Sequence, residues 1–182
     1  MRALADAERL ARFMRALGAE SGAVGSVFFT GGATAVLLGW RATTIDADLA
    51  VIPESDVILR LLPRLKESLD LNIEIASPAH FLPEVPGWRE RSRWIAREGR
   101  VDFLHYDFYA QALSKIVRGF DRDRADVEAM LARGLIERSA LLRHYEAIEG
   151  QLYRFPNLTP ARCRAAVEKV ARGAAETPPR RS

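Results

Sequence analysis

Asp46 and Asp48 are the residues from which chemistry reads first. They stand at i and i+2 in the segment Ile45–Ile52, where Ile45, Ala47, Leu49 and Val51 share one face of an extended chain. Both carboxylates then project from the opposite face, their Cα atoms roughly 6.6 Å apart by strand rise. Aspartate is depleted in strands, and two like charges held this way repel unless a cation lies between them. A hard divalent ion such as Mg²⁺ takes carboxylate and substrate phosphate oxygens together. An exposed strand carrying solvated acids is the alternative.

Gly31-Gly32 precede the pair at the end of Ser26-Val-Phe-Phe-Thr30. Glycine lets a backbone approach a phosphate closely, and amides at a following helix start favour anions; a plain turn is the simpler reading. Arg41 and Thr44 lie between the glycines and the aspartates. Arg41 fits a phosphate contact or an ion pair with Asp46.

These residues need elements to hold them. Residues 4–17 carry Leu10, Phe13, Met14 and Leu17 at helical spacing. Residues 26–30 read as a buried strand, 33–38 as one or two helical turns, and 45–52 as the clearest strand. Ser55 can cap a helix bearing Val57, Ile58, Leu61, Leu62, Leu65 and Leu69. Residues 72–76 read as a strand, with Glu74 on the face opposite Ile73 and Ile75. Three prolines make 77–87 a loop. Residues 91–96 and 101–107 read as a hairpin. Helices are expected over 108–119, 124–133, 139–149 and 160–172, with Asp123 and Asp126 as an approximate capping box and Thr159-Pro160 as a marked start. The order predicts an α/β (α+β) fold: a small mixed sheet over 1–107 flanked by helices, a C-terminal helical part over 108–172, and a disordered tail over 173–182.

The run Gly31-Gly32, an apolar helix, then Gly39-x-Arg41-x-x-Thr44-x-Asp46-x-Asp48-Leu49 resembles the nucleotidyltransferase superfamily related to DNA polymerase beta. It is most similar in feel to the nucleotidyltransferase toxins of abortive-infection (type IV toxin–antitoxin) systems and their uncharacterised bacterial relatives. The tRNA CCA-adding enzymes share a similar arrangement. Downstream, Ala112-Leu-Ser-Lys115-Ile-Val-Arg118-Gly-Phe-Asp121-Arg-Asp123-Arg-Ala-Asp126-Val looks like a helical stretch of the same families. The resemblance spans about residues 26–135.

It implies metal-dependent transfer of NMP from a nucleoside triphosphate to an acceptor: RNA, a protein side chain or a small molecule. Asp46 and Asp48 would hold Mg²⁺ or Mn²⁺ with a third acid on a neighbouring strand. Glu74 is the first choice and Asp102 the second. Gly31, Gly32, Arg41, Thr44 and Lys115 would bind the nucleotide. Glycine at 32 departs from the Gly-Ser of many members, and Glu74 from the usual aspartate. A catalytically inactive binding or regulatory module on the same fold is the alternative function.

Composition narrows the classes. The 182 residues are 48% hydrophobic and 28% charged, ordinary for a globular chain, which excludes wholesale disorder. No apolar run spans a bilayer, and the start carries Asp6 and Glu8 rather than a signal-peptide core. With Cys163 alone, a cytoplasmic protein without disulfides is expected. The net charge is +3, yet residues 151–182 hold seven cations against two anions, so the body is net acidic and the excess belongs to the C-terminal segment. A DNA-binding protein working through that segment is the weakest reading. Lys115 is one of only three lysines; a surface lysine with a snorkelling stem is its plainer role. Trp88, Trp94 and the arginines between 89 and 100 fit either a stacking surface for an acceptor or a strand with Trp in and Arg out.

Overall fold

The computed structural model describes residues 4–173. The fold is mixed α+β, as the order of elements predicts. Five strands form one sheet in the order β3-β2-β1-β5-β4: β1 (Gly25–Phe29), β2 (Asp46–Ile52), β3 (Asn72–Ile75), β4 (Arg93–Glu98) and β5 (Val101–His105). β1 runs antiparallel to β2 and parallel to β5; β2 and β3 are parallel; β4 and β5 form the expected hairpin. The helices are α1 (Ala7–Ser21), α2 (Gly31–Leu37), α3 (Asp56–Ser68), α4 (Trp88–Arg91), α5 (Phe108–Arg118), α6 (Asp121–Ala132), α7 (Arg138–Glu149) and α8 (Pro160–Arg172).

Strand alternation splits the core between the two faces of the sheet. Val27, Phe29, Leu49, Ile73 and Phe103 pack against Leu10, Phe13 and Leu17 of α1 and Ile58, Leu62 and Leu65 of α3. Phe28 and Ala50 face the other way, into a cluster with Trp88, Tyr106, Leu113, Val127, Tyr145 and Val167. The C-terminal helices therefore share a core with the sheet. α5 lies at the centre of that layer, buried from Ala110 through Ile116.

Local signals explain most boundaries. The Asp6 carboxylate accepts from the Arg9 amide at 2.8 Å and starts α1. Ser55 caps α3 through the Ile58 amide. The Asp107 carboxylate accepts from the Tyr109 and Ala110 amides and starts α5. The expected capping box at Asp123 and Asp126 is not formed. α6 begins at Asp121 behind Phe120, with no side-chain cap, and the two acids are buried inside it. Thr159 precedes α8 without a side-chain cap bond. The loop after β3 contains a single 3-10 turn, Pro78–His80. Of the expected disordered tail, residues 174–182 lie outside the described residues. No described helix is long and apolar enough to cross a membrane.

Candidate active site

The register of β2 on β3 decides which acids meet. Asp46 pairs with Asn72 and Asp48 with Glu74. Residues opposed in a parallel pair project to the same face, so all four polar side chains share one side of the sheet. The Asn72 amide donates to Asp46 Oδ1 and lies 3.4 Å from Glu74 Oε1. It therefore occupies the space between those two carboxylates.

Gly31 completes this corner. The Thr30 amide donates to the Asp48 carbonyl at 3.1 Å, which brings the next residue over the Asp48 side chain. Gly31 has φ +57°, and a Cβ there would lie 2.8 Å from Asp48 Oδ2. Its amide donates to Gln111 Oε1 at 3.0 Å, which ties the loop to α5. Gly32 is required by its neighbour, because a Cβ there would lie 2.0 Å from the Thr44 hydroxyl. A serine at 32 would force Thr44 to shift.

One cleft of about 210 Å³ gathers Gly31, Asp48 and Glu74 on one side and Ser114, Lys115 and Arg118 of α5 on the other, with Phe81 at its edge. The Arg118 guanidinium stacks over the Phe81 ring at 4.6 Å. Burial pushes the Asp48 carboxyl up to about 6; the nearby Asp46 and Glu74 carboxylates add to the rise, and Arg118 and Lys115 oppose it.

Lys115 is buried, 4% exposed, which overturns the surface-lysine reading. Its Nζ donates to Asp126 at 2.6 Å and to Asp123 at 3.1 Å. Asp126 also accepts from Trp40 Nε1 at 3.0 Å and Arg41 Nη2 at 2.6 Å. Asp123 accepts twice from Arg118. Arg41 is thus engaged with Asp126 rather than Asp46. It lies with Thr44 beside a separate depression. The Thr44 hydroxyl donates to the Asp46 carbonyl at 3.1 Å.

Of the expected residues, Gly31, Asp48, Glu74 and Lys115 line one cleft. Asp46 flanks it through its pairing beside Asp48. Gly32, Arg41 and Thr44 support the walls. Asp102 stands on β5, bound by both nitrogens of the Arg97 fork at 2.6 and 2.8 Å. It pairs with Ser26, which faces Ile52 at the far end of β2, so it does not join Asp48. The Trp88–Arg100 segment lies on the opposite side of the sheet order from β3. Trp88 stacks on Tyr106 at 4.2 Å inside the core, whereas Trp94 is exposed.

Ser114, Phe81 and Gln111 were not singled out from the sequence, and Arg118 stood in the helical stretch that carries the resemblance without a role assigned to it. The helical spacing of Ser114, Lys115 and Arg118 carries them to one face of α5 and was the available signal.

The donor set consists of oxygens only, which suits a hard cation. Among the described residues, no three acidic, His or Cys side chains are placed to hold a metal ion by themselves.

Searches among curated proteins and among solved structures gave no match. A family model does match: residues 7–161 fit the one described as "nucleotidyltransferase of unknown function (DUF6036)", a span that contains the whole cleft, and the chain belongs to that family.

Proposed function

We propose that this protein binds a nucleoside triphosphate in the cleft between β2–β3 and α5 and transfers its nucleotidyl group, with release of pyrophosphate, to an acceptor. The observation that carries this reading is the opposition of charges across the cleft: Asp48 and Glu74 on one wall, Lys115 and Arg118 on the other. That is the arrangement a metal–triphosphate complex requires.

Asp48 and Glu74, with Asp46 beside them, would hold a divalent ion such as Mg²⁺ or Mn²⁺. When bound, the ion supplies charge neutralisation at the attacking and leaving oxygens. Lys115 and Arg118 are held by Asp123 and Asp126, so they would orient the phosphates through the N–H groups those carboxylates leave over, in Arg118 the guanidinium nitrogen that Asp123 does not take. Gly31 lets the substrate approach the Asp48 carboxylate where a side chain would block it. The acceptor, which can be RNA, a protein side chain or a small molecule, enters from the open side of β3. A toxin of a toxin–antitoxin pair is the biological setting most in keeping with the motif.

One observation favours a second reading. The Asn72 amide sits between Asp46 and Glu74, and the Gly31 amide is already engaged by Gln111. An inactive module that binds nucleotide or a partner without metal is in keeping with that filled corner.

Calorimetry with ATP, GTP, CTP and UTP, with and without Mg²⁺, separates the two. Mg²⁺-dependent binding that weakens more than about tenfold in Asp48→Asn supports the transferase. Binding that ignores both Mg²⁺ and the substitution supports the inactive module.

A further inference from the structure

A second cavity, about 380 Å³, lies between α5, α6 and α8. Its volume falls in the range of ligand sites, roughly 300–1,000 Å³. Ile116, Val127, Ala166 and Val170 give it apolar walls. Arg124, Arg138 and Lys169 stand around it, and the one acid there, Glu128, is already bound by Arg138 at 3.0 Å. Arg124 is paired with Asp121. Lys169 is exposed on α8 and has no ion-pair partner among the described residues. The unassigned positive charge of the C-terminal segment thus delivers a free ammonium to the edge of an apolar cavity.

We propose that this cavity is a second ligand site, for a small anion with an apolar body: a carboxylate, sulfonate or phosphate carried on an alkyl or aryl group. The apolar walls bury the body, and Lys169 takes the anionic head, while Arg124 and Arg138 are already offset by Asp121 and Glu128. A purely polar phosphate gains nothing from the walls, and a neutral hydrocarbon gains nothing from the cations. The same cavity touches Lys115, whose side chain also lines the nucleotide cleft. Lys115 is therefore the partition between the two sites.

The probe is 1-anilinonaphthalene-8-sulfonate, titrated by fluorescence into the full chain without nucleotide or metal, so that the result does not depend on the transferase reading. Two variants accompany the wild type. Lys169→Glu reverses the exposed charge, and Ala166→Trp fills the cavity; thermal melts check that both fold. The expected result is saturable one-to-one binding, weakened roughly tenfold in Lys169→Glu and abolished in Ala166→Trp. Decanoate and 2-naphthoate compete in separate arms to distinguish an alkyl from an aryl body, and displacement by either supports the site. Decanol, which lacks the charge, competes poorly. Absence of saturable binding, equal binding by wild type and both folded variants, or displacement by decanol as effective as by decanoate would overturn the proposal.

Discussion

Glu74 stands directly opposite Asp48 in the parallel pairing of β2 and β3. Two carboxylates from different strands are thus held against each other at the mouth of a partly buried cleft, with Asp46 one step away on the same face. Burial raises the Asp48 carboxyl to about 6, and repulsion from the Asp46 and Glu74 carboxylates adds to that strain.

The first prediction concerns that strain. A carboxyl with a folded-state value of about 6 binds a proton more readily folded than unfolded. Its ionisation destabilises the fold progressively as pH rises from about 4 to about 6, and fully above that. Asp48→Asn removes the charge while keeping the shape. At pH 7 the variant should be more stable by about 1–2 kcal/mol, after discounting for the partial exposure of the group. It should also lose Mg²⁺-dependent nucleotide binding. Urea unfolding at pH 7 and at pH 4 checks the first half, since the gain should largely vanish at pH 4. A variant less stable than wild type at pH 7 would show that Asp48 serves the fold.

The second prediction concerns the buried charges. Asp126 is 1% exposed and gathers Trp40, Arg41 and Lys115 from the chain after α2 and from α5. Asp126→Ala leaves the Lys115 ammonium with Asp123 and frees the Arg41 guanidinium beside an empty space. Breaking such a buried pair from one side costs about 3–5 kcal/mol. Asp123 is bound by Lys115 and by Arg118, which is more exposed. Asp123→Ala should cost clearly less, about 1–3 kcal/mol. Denaturant midpoints of the two variants decide the order, and a larger loss at position 123 would contradict it.

The strands of the site were legible because burial imposes a period of two. Asp46–Leu49 alternates, Ala47 and Leu49 being buried and the two aspartates less so, and the structure forms β2 over Asp46–Ile52, where Ile45 stays outside and exposed. Glu74 was legible as an acid on the next strand, facing away from Ile73. Its register against Asp48 was not, because parallel pairing is set by packing across the sheet and leaves no local mark. Lys115 shows the same limit. Its sequence neighbours permit a surface lysine, and only the docking of α6 brings Asp123 and Asp126 onto it. Those two acids imitate a capping box in sequence, since capping and ion pairing both use Asp at short spacing. Gly32 carried a signal open to two meanings, phosphate approach or a plain turn, and the structure adds a reason neither gave, the close approach of Thr44.

The third prediction follows from that contact. A Cβ on Gly32 would fall 2.0 Å from Thr44 Oγ1 and 2.8 Å from its Cβ. The Thr44 Cβ cannot retreat freely, because its backbone is bonded to Ala5 in both directions at 2.8 Å, and the hydroxyl moves only by giving up its bond to the Asp46 carbonyl. Gly32→Ala should cost about 2–3 kcal/mol by overpacking. Combined with Thr44→Ala, which removes the nearer atom, it should cost less than the two single changes added together. A double-mutant cycle measures this coupling, and strict additivity would disprove the clash.

The last prediction concerns His105, which ends β5 and is 4% exposed. The Thr34 hydroxyl donates to the Phe29 carbonyl at 3.1 Å, so it accepts from His105 Nδ1 at 3.2 Å. That assigns the neutral tautomer with its proton on Nδ1. The ring also lies against Phe108. Burial, aided by the Arg93 charge, pushes its pKa down to about 4. The unfolded chain, at about 6.5, therefore binds more protons than the folded chain in the window between. Stability should fall as pH drops through that window, and this residue's share at pH 4.5 is about 2 kcal/mol. In His105→Gln, which keeps a donor but does not titrate, the loss between pH 7 and pH 4.5 should be smaller by about that amount. Urea-unfolding free energies of both proteins at the two pH values provide the test. Equal losses would mean that His105 has the same pKa folded and unfolded, so that burial does not depress it.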